Sequence, residues 1–507
     1  MTGIFDPTKL SLIVEQAGYN RTARVNGGDM HIGKRALIAL FGLALLTSMP
    51  AAADSPTEFE SRIFDPEQGD KAHHDLCDSN SPSFRNNEAL MREMGLKRFP
   101  GAAFNRLSRG MIADTIDNGI IVAMEKAPRK QTDVGSGFHS RYLKSFAEAY
   151  PAGGTEVAPR DRFLQSTFSH PKPIHVSHIY EYSDRKACAL YSAYTESRMC
   201  AGRQATAHHD FTSGMEALQA VFETRVTPAL NSGRYSHVLF MAMGWHNDQQ
   251  VSICRYDAIS TAVRTASDAI GQPFEPYIVG VTWPSAWFSS NPVELVDKVG
   301  HIGSVFNKAD DADEIGYLVG NMIANRLIPR ANRKKLPFVA LGHSFGTRVI
   351  NRSVFSRDLL RDGAIGSGPD LTIALQPAHS IFRFLPGRGV EGHPFADIDN
   401  LDTIVVATSS KRDTANPLAI WSRYVGGRTG LAIARNDKNR DWVDFVARND
   451  SLGPHKAVSH ALDQLDARPG TPTIVDATGF VFEHNDVMSE DMGRFVAGLI
   501  ARYAQAR

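Results

Sequence analysis

A serine hydroxyl attacks a carbonyl only when a base takes its proton, and an imidazole base needs a carboxylate to fix its tautomer. This chain holds three residues in the order and local setting that such chemistry requires. Ser344 lies in Gly342-His343-Ser344-Phe345-Gly346, after the apolar run Pro337-Phe338-Val339-Ala340-Leu341 and before a segment able to start a helix. A G-x-S-x-G sequence between strand and helix makes a sharp turn that leaves the serine at the strand tip. The backbone is crowded on either side of that turn, so Gly342 and Gly346 meet the need for flanks without bulk. Asp413 follows the strand-like run Thr403–Thr408, and His484 follows Pro472–Ala477 just before the last helical stretch. Each of the three therefore leaves a strand at its C-terminal end, the edge where open parallel sheets bind ligands. The reading is Ser344 as nucleophile, His484 as base and Asp413 as orienter. Asp397, Asp399 and Asp402 are rival orienters but precede their strand. His455 and His460 likewise precede the last strand, at the wrong edge.

A tetrahedral intermediate also needs backbone N–H groups already facing its oxygen. The N–H of Phe345 is one candidate. The other is the N–H of Trp245, after the run Val238–Gly244, where Gly244 permits a tight turn. Aromatic residues past a strand end, Trp283, Trp287 and Phe288, are candidates to line an acyl pocket. Phe382 is another, within a stretch from Pro377 to Pro394 that reads as a lid carrying Ile381, Phe384 and Leu385. His73-His74 and His208-His209 are adjacent pairs without metal-site spacing, and no C-x-x-C occurs, so a zinc site is not expected.

These residues need a scaffold. From about residue 230 onward, apolar strand candidates alternate with helical stretches. The strands are Ser236–Gly244, Pro276–Trp283, Pro337–Gly342, Leu371–Gln376, Thr403–Thr408 and Thr471–Ala477. The helices are Ala258–Ile270, Ala312–Ile328 and Met488–Ala506. That alternation predicts an α/β fold, a mostly parallel sheet with helices on both faces. Ahead of it, Ile174–Tyr182 reads as a strand, Gly214–Leu230 as an amphipathic helix and Gly110–Ala127 as helical. The expected organisation is an N-terminal extension over 54–170 and the α/β domain over 171–507.

Lys plus Arg and Asp plus Glu both number 55 among 507 residues, so no global field points to nucleic acid or an anionic membrane. The basic run Arg330–Lys335 reads as a solvated helix end. Lys34 and Arg35, the apolar run Ala36–Leu46 and Ala51-Ala52-Ala53 have the layout of a secretory signal peptide over 30–53. That implies export, cleavage near Ala53, no membrane span afterwards, and Met30 as a start site that leaves 1–29 a mis-assigned leader. In an oxidising compartment Cys77, Cys188, Cys200 and Cys254 favour disulfides, with three pairings open.

Taken together, Gly244-Trp245-His246-Asn247, Gly342-His343-Ser344-Phe345-Gly346, Asp413 and His484 resemble the α/β-hydrolase superfamily, especially its esterase- and lipase-like members. The resemblance covers the chain from about residue 230. It implies an eight-stranded, mostly parallel sheet and hydrolysis of small-molecule or lipid-like esters without a cofactor. One departure is Met243, which stands where those relatives carry a loop-orienting histidine and implies a hole that is looser or differently buttressed. The function expected is that of an exported serine esterase acting through an acyl-enzyme on Ser344. The alternative is a catalytically silent hydrolase-fold binding or scaffold protein of the cell envelope.

Overall fold

The computed structural model describes residues 118–126, 174–183, 186–192, 211–244, 249–283, 285, 309, 311–357, 367–385, 395, 398, 402–413 and 423–505. The signal-like segment 30–53, His73-His74, His208-His209, Trp245, Trp287, Phe288, Asp397 and Asp399 lie outside them. So do the side chains of all four cysteines.

The strands are β1 (Asn118–Lys126), β2 (Ile174–Ser183), β3 (Lys186–Ser192), β4 (His237–Ala242), β5 (Pro276–Thr282), β6 (Phe338–His343), β7 (Leu371–Leu375), β8 (Ile404–Ser409), β9 (Asp444–Val446) and β10 (Thr473–Asp476). The helices used below are α1 (Phe211–Val221), α2 (Gln249–Ala269), α3 (Gly346–Val354), α4 (Arg428–Ala434), α5 (Pro454–Asp463) and α6 (Glu490–Tyr503). A further helical segment, 311–331, precedes β6. None of the described helices is long and apolar enough to cross a membrane.

All ten strands join one sheet in the order β3-β2-β1-β5-β4-β6-β7-β8-β10-β9. Only the β1–β2 and β2–β3 pairings are antiparallel, so β2 alone runs against the other strands. Successive side chains of a strand point to opposite faces, and β4 follows the rule. Val238, Phe240 and Ala242 join one apolar cluster, while Leu239 and Met241 join the other. On the first face the sheet is covered by α1 (Met215, Leu218), the 311–331 segment (Ile315, Leu318, Ile323) and α3 (Val349, Ile350). On the second it is covered by α2 (Ile253, Ile259, Val263), α5 (Ala457, Val458) and α6 (Met492, Phe495, Leu499). Both faces are thus dry, which is why β4, β5, β6 and β7 are buried along their whole length.

Three expectations change. Residues 118–126, read as the end of a helical stretch, form β1. Ile120-Ile121-Val122-Ala123-Met124 is a continuous apolar run buried on both sides, and without polar interruptions such a run has no helical period to read. β1 is also an inner strand, between β2 and β5, so the sheet starts well before the expected boundary at 170. Among the described residues the sheet has ten strands where the resemblance implied eight, and the short β3 and β9 at its edges had no sequence signal of their own. Arg330 and Lys335 lie at an exposed helix end, as expected for that basic run.

Buried imidazoles make this fold acid-sensitive. His237, at the start of β4 against Phe274, has its pKa pushed down by burial to about 4, and the carbonyl of Ala504 only partly offsets this. Burial also holds His343 and His379 well below the usual histidine range. Between pH 6.5 and 4 the unfolded chain takes up a proton at His237 that the folded chain refuses. Stability is therefore present above about pH 6.5 and lost as pH falls, by about 3 kcal/mol from His237 alone. Thermal melts from pH 7.5 to 4.5 are expected to show a falling Tm. His237→Gln should flatten that slope, and an unchanged slope would refute the assignment.

Candidate active site

The turn after β6 is strained where it matters. Ser344 has φ +55°, in the left-handed region that a side chain normally avoids. Neighbours hold that conformation: the Ser344 N–H donates to the Leu375 carbonyl at 3.0 Å, and its own carbonyl accepts from Thr347 Oγ1 at 2.6 Å and Ala378 N–H at 3.2 Å. The flanking glycines act through space rather than φ. A Cβ on Gly342 would lie 2.7 Å from the Thr347 Cα, and one on Gly346 would drive into the Ala242 carbonyl. β6 and α3 can therefore diverge from one tight corner with α3 packed against β4.

Gly244 serves a related purpose. A Cβ there would lie 2.5 Å from Ser344 Cβ and 3.0 Å from its Oγ. The chain leaving β4 runs directly past Ser344, and only the missing side chain makes room. The backbone just ahead is buttressed at Met243. Trp283 Nε1–H donates to the Met243 carbonyl at 2.8 Å, and Tyr256 Oη–H donates to the Val281 carbonyl at 2.6 Å. Trp283, read from sequence as a pocket wall, is a buried strut for this loop. The N–H of Phe345, at the N-cap of α3, belongs to a helix end whose first amides have no helical acceptor.

At the same edge, the loops after β8 and β10 meet. His484 Nδ1 and Asp413 Oδ2 are 2.8 Å apart. A carboxylate can only accept, so Nδ1 carries the proton and Nε2 keeps its lone pair as the basic nitrogen. The two loops are also sewn together around this contact. Ser410 Oγ donates to the Val481 carbonyl at 2.8 Å, Lys411 N–H donates to Thr478 Oγ1 at 3.0 Å, and the Arg412 guanidinium sits 4.6 Å from the Phe482 ring centre. Asp486 Oδ2 then takes the N–H groups of Phe482 (2.6 Å) and Glu483 (2.8 Å), folding the loop back on itself. Burial nevertheless pushes the Asp486 carboxyl above its ordinary pKa.

His343 joins this unit to the turn that carries Ser344. Its Nε2–H donates to the His484 carbonyl at 2.9 Å, so the loop carrying His484 is held by the residue preceding Ser344. Among the described residues no hydrogen bond joins Ser344 Oγ to His484. Such contacts are often long without substrate and tighten around it. Ser344 itself is 8% exposed, which places the hydroxyl at the floor of the edge rather than on the surface.

Other residues fall elsewhere. Asp402 is exposed at the opposite end of β8, and His455 is exposed on α5 beside Arg494. Phe382 is buried in the first apolar cluster with Ile381, Phe384 and Leu385, and Arg423 covers its ring at 4.9 Å. Residues 377–385 are thus an inner layer, and the rest of the stretch read as a lid, 386–394, lies outside the described residues. The inner layer is fixed by Arg383, which grips Asp313 with two bonds of 2.7 Å. Sequence reading missed Asp313, Arg348, Arg352 and Arg383 altogether. This buried knot ties α3 and the 381–383 turn to the 311–331 segment.

A serine, an imidazole and a carboxylate paired to that imidazole on one sheet edge are the groups that a proton transfer from serine would use. Asp413→Asn would then keep the geometry but favour the wrong His484 tautomer. It is expected to lower kcat on a small ester on the order of 10³- to 10⁴-fold with little change in Tm. Steady-state kinetics beside a thermal melt check this, and a loss below tenfold would remove Asp413 from the role.

No family model matches the chain, and no curated protein does. Among solved structures it is similar to a Pyrobaculum calidifontis esterase in a monoclinic crystal form. That likeness is at 11% identity, covers 53% of this chain and 76% of that one, and has a TM-score of 0.25. So slight a likeness carries no weight, and the description of the site stands on its geometry.

Proposed function

We propose that this chain is a serine hydrolase of the α/β-hydrolase type that cleaves carboxylic esters through an acyl-enzyme on Ser344. The observation that carries the reading is one sheet edge holding a strained, conformationally locked serine after β6 and a 2.8 Å His–Asp pair from the loops after β8 and β10. In this mechanism Ser344 Oγ attacks the ester carbonyl carbon as His484 Nε2 takes its proton. Asp413 steadies the imidazolium, and the oxyanion takes the N–H of Phe345 as one donor, with Trp245, which lies outside the described residues, proposed from the sequence as the second. Collapse expels the alcohol, which leaves with the proton from His484. Water, deprotonated by the same nitrogen, then attacks the acyl carbonyl, and as the second intermediate collapses His484 returns that proton to the departing Ser344 Oγ and the acid is freed. The substrate class is a small-molecule or lipid-like ester, and segment 30–53 directs the protein out of the cytoplasm.

The test is a fluorophosphonate probe on folded wild-type protein, beside Ser344→Ala and His484→Ala. Labelling of the wild type that disappears in both variants supports the reading. Absence of labelling on folded wild type would overturn it in favour of a silent binding protein.

A further inference from the structure

The histidine base is anchored by two buried groups that the proton transfers do not use. His343 donates Nε2–H to the backbone carbonyl of His484 at 2.9 Å, and their ring centres lie 4.7 Å apart. From α2, the buried Arg255 donates Nη1–H to Asn485 Oδ1 at 3.0 Å. One contact thus comes from the strand that carries the nucleophile and the other from a helix on the second face of the sheet. Both act on adjacent residues of the base loop.

The Asp413 contact alone fixes one ring nitrogen and leaves the His484 backbone free to shift relative to Ser344. A reacting pair tolerates little of this, since about 1 Å of misplacement costs about 10²-fold in rate. We infer that His343 is a positioning residue: its N–H to the His484 carbonyl sets the distance between base and nucleophile, with Arg255–Asn485 as a second anchor. This rests on the serine-hydrolase reading above.

Two features argue against a purely space-filling role. The other nitrogen of His343, Nδ1, is buried without a hydrogen-bond partner. A leucine or phenylalanine would fill the same space without that cost, so the imidazole is kept for the one N–H it delivers. The group must also stay uncharged. A cation 4.7 Å from His484 would oppose the imidazolium formed there as Ser344 gives up its proton, and burial keeps His343 neutral.

The experiment uses the full-length protein, first shown to label with a fluorophosphonate, and p-nitrophenyl acetate as substrate. His343→Phe keeps the bulk and removes the donor. Expected is a fall in kcat on the order of 10²-fold, with KM within about threefold. His343→Gln has an amide N–H that reaches about as far as Nε2, and should recover activity to within about tenfold of wild type. Should His343→Phe fail to fold, Asn485→Ala tests the second anchor and is expected to lower kcat about tenfold at unchanged KM. Labelled wild type with His343→Phe or Asn485→Ala at wild-type kcat would overturn this inference alone. So would folded Phe and Gln variants that lose activity equally. An unlabelled wild type would overturn the hydrolase reading and this inference together.

Discussion

Ser344→Ala is expected to lower kcat on a p-nitrophenyl ester by on the order of 10⁴- to 10⁶-fold, the loss seen when a nucleophile is removed from a working serine–histidine pair. What remains is the rate given by binding and oxyanion contacts alone. The fold should not suffer, because the backbone contacts that lock residue 344 use its N–H and carbonyl and not its hydroxyl. A second substitution separates chemistry from strain. Ser344→Gly is equally inactive but removes the cost of holding a side chain at φ +55°, about 1 kcal/mol, and should melt higher than the alanine variant. Esterase assays and calorimetry on both proteins check this. Residual activity within tenfold of wild type would mean that the reacting group is elsewhere.

The largest expected effect on stability comes from Asp313. Three guanidinium groups converge on its fully buried carboxylate: Arg383 at 2.7 Å through both nitrogens, Arg348 at 3.1 Å and Arg352 at 3.3 Å. Together they hold its carboxyl far below the usual range despite complete burial. Asp313→Ala leaves those cations buried without that counter-charge, at a cost of about 3–5 kcal/mol or more. Against a typical total of about 5–15 kcal/mol, this is the difference between a folded and a failing protein. The expected result is insoluble protein or a Tm lower by roughly 3–6 °C, with Asp313→Asn milder because it keeps one acceptor. A shift under about 2 °C would show that the arginines are neutralised by other groups.

The contrast between Asp413 and Asp313 shows what a sequence exposes and what it hides. Asp413 announces itself because a strand-like run points at it and the expected chain order needs a carboxylate there. Asp313 lies in a charged-looking stretch, and its partners are 35, 39 and 70 residues away. Nothing local separates a carboxylate of this kind from a solvated one. The same limit explains Trp283. An aromatic residue past a strand end suggests a pocket, but its role depends on a carbonyl 40 residues upstream that its indole happens to reach. Strands β4 to β8 and β10 were legible because each is an apolar run bounded by turns. β1 was equally apolar but stood apart from the alternating pattern, so nothing in its surroundings argued for a strand.

The inner position of β1 bears on how the chain comes to be folded. Gly119 pairs with Ile278, so a segment made early waits for a strand about 160 residues further along. Closing so long a loop is slow, and until it closes both β1 and the facing edge of β5 carry unpaired backbone groups beside apolar side chains. The waiting chain is therefore sticky along one seam. A fragment beginning at 171 would keep that seam open permanently, and should aggregate through β5 even though its Ser344, Asp413 and His484 are all present.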